Sequence, residues 1–300
     1  MNSAQPGIEP VIKQPPAAND TLGAPFRTFD FSDADFRRLK RMIFDYAGIS
    51  LNDNKKPMAY SRLTKRLRQL GLNTFREYLD FVEGSDTEEH VRFINALTTN
   101  LTYFFREAHH FTILAEHLMK LHEADPQTLT VWSAACSTGE EPYSIAMAVI
   151  EAFGTDQPPV RIIASDLDTD ALATAKRAVY PVEKVASLSP QRLKRFFLKG
   201  AGDQSGFARM RPQVQRLVEF RQVNLHEEGW EMESFAPMAA IFCRNVMIYF
   251  NKETQTKILD RFAPLLRRDG LLFAGHSENF FYNGRETFRI RGKTVYELAT

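Results

Sequence analysis

The chain has 300 residues, 44% hydrophobic and 25% charged, the balance of an ordinary soluble globular protein with room for two domains of about 150 residues each. Lys and Arg number 38 against 37 Asp and Glu, which excludes a global electrostatic case for nucleic acid or an anionic membrane, so a charged partner must be met by a local patch. Cys136 and Cys243 are the two cysteines, the N-terminus lacks a signal-peptide pattern, and no apolar run approaches the roughly 20 residues that cross a bilayer; the expected location is cytoplasmic, with reduced thiols.

Residues 1–25 hold four prolines in their first 16 positions and almost no aromatic side chain, so they bury too little apolar surface to offset their ordering entropy and read as a flexible tail. From Phe26 to about residue 97 the punctuation is helical. In FSDADFRRLKRMIFDYAG, Ser32 is placed as an N-cap, and Asp33 and Asp35 meet the helix dipole. Phe36, Leu39, Ile43 and Tyr46 form an apolar stripe, and Gly48 ends the run. A second helix, within residues 55–75, carries Lys55, Lys56, Arg62, Lys65, Arg66 and Arg68 and no acid at all. At about 100° per residue, Tyr60, Leu63, Leu67 and Leu70 share one side while Arg62, Lys65, Arg66 and Arg68 spread over the other. Solvated faces ordinarily mix signs at i,i+4 spacing, so the missing acid points to an acidic partner; a merely solvated face is the plainer reading.

Beyond residue 128 the text alternates strand and helix. Apolar runs at 129–135, 160–165, 217–223, 238–243 and 270–274 are separated by helical segments at 141–153, 168–178 and 252–267, the pattern of a parallel sheet covered on both faces. The stretch 180–216 breaks the alternation: LKGAGDQSGFARMRPQVQRL is glycine-rich, and the short runs beside it read as hairpin strands. The expected fold is α/β, a doubly wound, mostly parallel sheet over 98–300 with a small antiparallel β-subdomain inserted at about 180–216. An all-helical domain over 26–97 precedes it.

Ligands of open α/β sheets bind beyond the carboxyl ends of the strands. The first strand ends in AACSTGEEPYSIA (134–146), where a nucleotide fold would place a phosphate loop, yet this turn has one glycine, Gly139, and two carboxylates, Glu140 and Glu141. A pyrophosphate would be opposed by about 4 kcal/mol for unit charges about 4 Å apart at an effective dielectric of about 20. A ligand with a ribose and a cationic tail in place of phosphate suits Glu140, and S-adenosylmethionine is such a ligand; a helix-dipole partner is the plainer role for the same glutamate. Asp166, one residue past the second apolar run in ASDLDTDAL, can take both ribose hydroxyls, while Asp168 lies closer to the helix and better suits a cap.

At the domain seam, TTNLTYFFRE sets Asn100, Thr102 and Arg106 on one parity, a set that can hold a carboxylate or else form a polar linker. In FCRNVMIYF a buried strand runs straight into Arg244 and Asn245; charge at a strand end is site-like, and a helix cap is the cheaper account of the asparagine. His109, His110 and His276 lack ligand spacing with the cysteines and read as structural, so no metal is expected.

These stretches, followed by GLLFAGHSENF, resemble in content and order the CheR-type chemotaxis receptor methyltransferases, and the resemblance runs from about Phe31 to Leu298. It implies a small helical domain joined to a doubly wound S-adenosylmethionine-binding domain with an antiparallel insertion. It also implies methyl transfer to glutamate side chains of membrane chemoreceptors, giving γ-glutamyl methyl esters and S-adenosylhomocysteine.

Carried over motif by motif, the resemblance places cofactor contacts at Asn100, Thr102, Arg106, Glu140, Asp166, Asn224, Leu225, Arg244 and Asn245, with Arg106 and Tyr249 nearest the methyl group as the catalytic pair. Gly200, Gly202 and Gly206 of KGAGDQSG, with Arg209, are similar to those of family members that bind a peptide at a receptor's C-terminus; Lys199 and Ala201 depart from that pattern. The implied partner is the cytoplasmic domain of a chemoreceptor, whose acidic methylation helices would meet Arg62, Lys65, Arg66 and Arg68. A monomer, without nucleic acid or membrane insertion, is expected.

A glutamate with a pKa near about 4.3 is already ionised at neutral pH, so no general base is required, and in-line placement, worth about 7–11 kcal/mol, is the enzyme's task. Carboxylate and sulfonium charges cancel as the bond forms, so a tight ground-state salt bridge to Arg106 would oppose reaction; Arg106 is expected to orient. Tyr249 either donates to the spectator oxygen or simply packs. The rival readings are an enzyme acting on a small molecule or another protein, and a sensor that binds the cofactor without turnover.

Overall fold

In the computed structural model, which describes residues 28–84, 88–280 and 287–299, four helices form the N-terminal unit; the tail expected at 1–25 lies outside these residues. Helix α1 (Asp33–Ala47) begins with a capping box, Ser32 accepting from the Asp35 N–H while Asp35 reaches back, and ends where Gly48 adopts φ 68°. Helices α2 (Lys56–Leu70), α3 (Phe75–Glu83) and α4 (Glu88–Leu97) follow. Their apolar faces close a core around Phe36, Leu39, Ile43, Leu63, Leu67, Phe75 and Phe93, with Tyr46 at its half-buried margin.

The basic side of α2 is not a free face. Arg62 Nη1 donates to the Ala96 carbonyl (3.2 Å) and to that of Thr98, tying α2 to the end of α4. Arg66 is paired with Glu89, whose other contact is the Tyr78 hydroxyl at 3.0 Å. The expectation that Arg62 and Arg66 lie open to a partner is therefore corrected: acids and carbonyls distant in sequence consume them. Lys65 and Arg68 stay exposed, Arg68 lying over the Phe29 ring.

The second unit runs α5 (His109–Ala124), β1 (Leu129–Ser133), α6 (Glu140–Phe153), β2 (Val160–Asp166) and α7 (Thr169–Arg177). An insertion follows: β3 (Val179–Pro181), α8 (Val182–Val185), α9 (Pro190–Phe196), β4 (Phe197–Lys199), β5 (Phe207–Met210) and α10 (Pro212–Gln215). The chain then completes the main sheet with β6 (Val218–Gln222), β7 (Met238–Cys243), α11 (Lys252–Phe262), β8 (Leu266–Ala274), β9 (Phe288–Gly292) and β10 (Val295–Leu298).

Strand order is β6-β2-β1-β7-β8-β10-β9, the first five parallel and β10 and β9 antiparallel; the insertion is a separate antiparallel sheet, β3-β5-β4. Side chains alternate as the pleat requires. Val131, Ile162, Ala240 and Leu271 are in register on one face under α5 and α6, and Trp132, Ile163, Ile241 and Leu272 on the other under α11. The hairpin β9–β10 is an addition to the expected strands. Its edge strand FRIRG leaves Arg289, Ile290 and Arg291 exposed, so it lacks the apolar run that marks a buried strand.

The helical unit is fastened across the carboxyl ends of the strands. Ser50 N–H donates to the Tyr249 carbonyl (2.7 Å), Asn224 Nδ2 to the Tyr46 carbonyl (2.8 Å), and Asn95 Nδ2 to Thr169 Oγ1 (2.9 Å).

Candidate active site

A cavity of about 290 Å³ opens beyond the ends of β1, β2 and β7, walled on its far side by the helical unit through Ile49, Leu51 and Met58. It sits where the strand order turns back on itself, β1 having β2 on one side and β7 on the other. Asn100, Thr102, Arg106, Asp166, Asn224, Leu225, Arg244, Asn245 and Tyr249 all line it, although they come from four separate stretches of chain.

The turn after β1 explains its single glycine. Gly139 has φ 96°, and a Cβ there would fall 2.8 Å from the Ala175 Cβ and 2.9 Å from the Tyr180 hydroxyl. The glycine thus lets the start of α6 press against α7 and the insertion; it does not open a bed of amides for phosphate. Ser137 N–H donates to Asp166 Oδ2 (2.7 Å) and Asp168 N–H to Oδ1 (2.9 Å), so the strand ends hold Asp166 from two sides. Burial raises its pKa to about 6, with those two backbone donors working against the rise. Asp168 caps α7 through Oδ1, while its Oδ2 accepts from Thr98 and from Asn100, each at 2.6 Å. Asn100 completes the strut by accepting from Ser137 Oγ at 3.0 Å.

Glu140 is not on the cavity wall. It is fully buried, accepting from Thr138 Oγ1 (2.6 Å) and pairing with Lys184 of α8 (3.0 Å), so the expected cofactor contact is corrected. Its neighbour Glu141, given no ligand role from the sequence, is the carboxylate that lines the cavity. Successive residues on a helix point about 100° apart, so only one of the pair can face the ligand space. Glu141 accepts from Ser133 Oγ at 2.7 Å and from Arg244 Nη1 at 2.9 Å. Burial raises its pKa, and Arg244 and Ser133 oppose the rise.

Arg244 is the centre of a buried network. Its Nη2 donates to the Arg106 carbonyl and lies 3.4 Å from Glu107 Oε2. Glu107 also accepts from the His276 N–H (2.9 Å); burial works against its charge, but that donor, Arg244 and His110 together hold its pKa below the usual range. Next in the chain, Asn245 adopts φ 60°, and its N–H donates to Glu278 Oε2 at 2.7 Å. Glu278 also takes the N–H groups of Met247 and Gly275, which shapes the loop that carries Tyr249. Gly275 admits this approach, since a Cβ there would lie 2.2 Å from Asn245 Nδ2.

Glu141, Glu107 and Glu278 were not identified as site residues from the sequence. Each stands beside or within a motif that was, GEEP, FFRE and GHSEN, and carboxylates next to motif residues are the signal that could have found them. Asn224 bridges the Tyr46 carbonyl and Glu227, and Leu225 is buried beneath the cavity floor. Arg106 Nη1 donates back to the Leu101 carbonyl (2.9 Å), with its guanidinium 5.7 Å from the Tyr103 ring centre.

The residues proposed for peptide binding lie apart from this cavity, on the inserted sheet. Gly200 is pressed against the Gln204 carbonyl, Gly202 and Gly206 take φ 56° and 93°, and Arg209 stands exposed on β5 between Val179 and Leu198. Cys136 and Cys243 are buried free thiols. Among the described residues no cluster of His, Cys, Asp and Glu is placed to hold a metal ion, and no helix is long and apolar enough to cross a membrane.

The wall suits S-adenosylmethionine by its chemistry. Carboxylates at Glu141 and Asp166 match an ammonium and two hydroxyls, guanidiniums at Arg106 and Arg244 match a carboxylate, and Val223 and Leu225 offer an apolar bed. The buried Nε of Arg244 has no hydrogen-bond partner among the described residues, so a donor is left for a ligand. Residues 34–98 match the family described as CheR methyltransferase, all-alpha domain, and residues 100–296 match CheR methyltransferase, SAM binding domain. The Chemotaxis protein methyltransferase of Salmonella typhimurium is 52% identical over 269 residues, covering 89% of this chain and 91% of its own. Chemotaxis protein methyltransferase 2 of Pseudomonas aeruginosa is 48% identical over 271 residues, covering 90% and 95%. The chain belongs to the CheR methyltransferase family, with S-adenosylmethionine as its cofactor.

Proposed function

We propose that the protein methylates glutamate side chains in the cytoplasmic domains of membrane chemoreceptors, forming γ-glutamyl methyl esters. The observation that carries this reading is the cavity itself. It sets Arg106 and Tyr249 beside a wall of paired carboxylates and guanidiniums, and it opens at the seam with a helical unit from which Lys55 reaches its edge. The names of the relatives support the chemotaxis setting.

When bound, S-adenosylmethionine supplies an electrophilic methyl group on a sulfonium. Asp166 would hold the ribose hydroxyls, Glu141 the ammonium group, and Arg106 and Arg244 the cofactor carboxylate, with Asn100 keeping the turn around Asp166 in shape. Arg106 is engaged with the Leu101 carbonyl and Tyr103, so it orients without forming the tight ion pair that would hold back the incoming carboxylate. The acceptor glutamate needs no base, being ionised at neutral pH. Tyr249, whose backbone is clamped to Ser50, stands ready to position its spectator oxygen. The inserted sheet around Gly200, Gly202, Gly206 and Arg209 would take a receptor's C-terminal peptide.

Incubation with radiolabelled cofactor and membranes from strains each expressing a single chemoreceptor tests the reading. Label released as methanol by mild alkali is expected; label stable to alkali, or found on no receptor, overturns it.

A further inference from the structure

The cavity edge carries three apolar side chains in water. Leu101, Tyr103 and Ile248 line the cavity and are 77%, 52% and 51% exposed, respectively. Single exposed hydrophobics are ordinary on a protein surface, but three gathered at one opening are not scattered. They surround the catalytic end: Arg106 donates to the Leu101 carbonyl and stacks near Tyr103, and Ile248 precedes Tyr249. Asp166, the residue suited to ribose, comes from the end of β2 and not from this edge.

The segment that presents Leu101 and Tyr103 is held firmly. Phe105 and Glu107 take φ 56° and 57°, conformations disfavoured for such residues. They are kept there by the Phe105 N–H donating to Ser144 Oγ (2.9 Å) and by the Glu107 contacts to His276 and Arg244. Lys55 also lines the cavity, exposed and in no ion pair among the described residues.

Resting on the reading of a protein glutamate as acceptor, we propose that Leu101, Tyr103 and Ile248 form a substrate-selecting rim that packs on aliphatic side chains flanking the target glutamate in the acceptor protein. Lys55, lining the same cavity, attracts acidic groups of that segment. A lone carboxylate would gain nothing from the apolar side of this opening, whereas a folded acceptor with small aliphatic neighbours beside the glutamate buries it. The rim thus decides which glutamates of an acidic surface are methylated.

The test uses the full-length enzyme and a purified chemoreceptor cytoplasmic fragment, with Leu101→Ser and Ile248→Ser variants and Leu101→Met as the conservative control. Each serine variant is expected to raise the acceptor KM about ten-fold, the scale of one or two lost aliphatic contacts, with Met restoring most of it. Calorimetric affinity for S-adenosylhomocysteine should stay within about two-fold, on the same scale. Polar replacement of the residues flanking the methylated glutamate should raise the KM of the unaltered enzyme and have little further effect on the variants.

An unchanged acceptor KM, or a parallel loss of S-adenosylhomocysteine affinity, overturns the rim. If the unaltered enzyme puts no base-labile methyl group on the fragment, the functional reading falls and the rim with it. Normal methylation by both enzyme forms removes the rim alone.

Discussion

Arg244 Nη1 lies 2.9 Å from Glu141 Oε2, an ion pair that ties the end of β7 to the first turn of α6 with the arginine side chain 1% exposed. It turns two sequence motifs, GEEP and FCRN, into one wall of the cavity, and it leaves Glu140 to serve Lys184 on the outer side.

Neutralising the two adjacent glutamates should therefore give different results. Glu141→Gln leaves a buried guanidinium short of its counter-charge and is expected to lower stability by about 3 kcal/mol and to weaken S-adenosylhomocysteine binding at least about ten-fold. Glu140→Gln disturbs a pair whose lysine is 42% exposed, and its cofactor affinity should change by less than about three-fold. Calorimetry and urea unfolding on both variants decide the matter; equal effects would contradict the assignment of Glu141 to the cavity.

Asp166 should make cofactor binding pH-dependent. Burial raises its pKa to about 6, and hydroxyl donors bind best to the ionised carboxylate. S-adenosylhomocysteine affinity is thus expected to be full above about pH 7 and to fall as the pH drops through 6, since protonation removes an acceptor. Asp166→Asn should bind more weakly at neutral pH and lose that slope. A profile from pH 5 to 8 that is flat for the unaltered protein would count against this role.

The basic helix can be dissected one cation at a time. Arg66→Glu meets Glu89 in a buried site and should cost about 3–5 kcal/mol of stability. Lys65→Glu, on an exposed position, should leave the melting temperature within a degree or so while slowing methylation of an acidic receptor fragment several-fold, most strongly at low salt. Equal rates at all ionic strengths would remove α2 from the docking surface.

Gly139→Ala probes the turn. The new Cβ would meet Ala175 and Tyr180 at under 3 Å in a backbone conformation unsuited to alanine. The expected result is a loss of about 2–4 kcal/mol in unfolding free energy, with cofactor affinity falling as the turn that presents Ser137 to Asp166 shifts. An alanine variant as stable as the parent would show that the contact relaxes freely.

Acid should destabilise the protein through two histidines. Burial lowers His110 to about 3 and His117 to about 4, both on the buried face of α5. With folded pKa values below the unfolded one of about 6.5, their contribution is fully present above that pH and is lost as the pH falls toward 4. Each histidine should add a slope of up to about 1.4 kcal/mol per pH unit in that window, opposed in part by Asp166, whose raised pKa acts the other way. Urea midpoints at pH 7, 6 and 5 should fall for the parent and fall less for His110→Asn.

Much of this molecule could be read before any coordinates. The caps of α1 at Ser32 and Gly48, the five parallel strands and the antiparallel insertion were legible because caps, periods and turn residues act over a few neighbouring positions. That Asp166 and Arg244 meet followed from a simple rule, that strand ends converge at a switch point, whereas Asn100 in the linker and Asn224 were expected beside them only from the family resemblance.

What stayed hidden depends on partners far away in the chain. Whether Glu140 or Glu141 faces the ligand is set by the rotation of α6 on the sheet, and Gly139 pressed against Ala175 and Tyr180 fixes that rotation. Arg62 and Arg66 looked like a docking face until Thr98 and Glu89, more than 20 positions on, were folded against them. Amino-acid order carries the elements and the chemistry, because both are local. The fold chooses which of two neighbouring charges is used, because burial and pairing are properties of the packed whole.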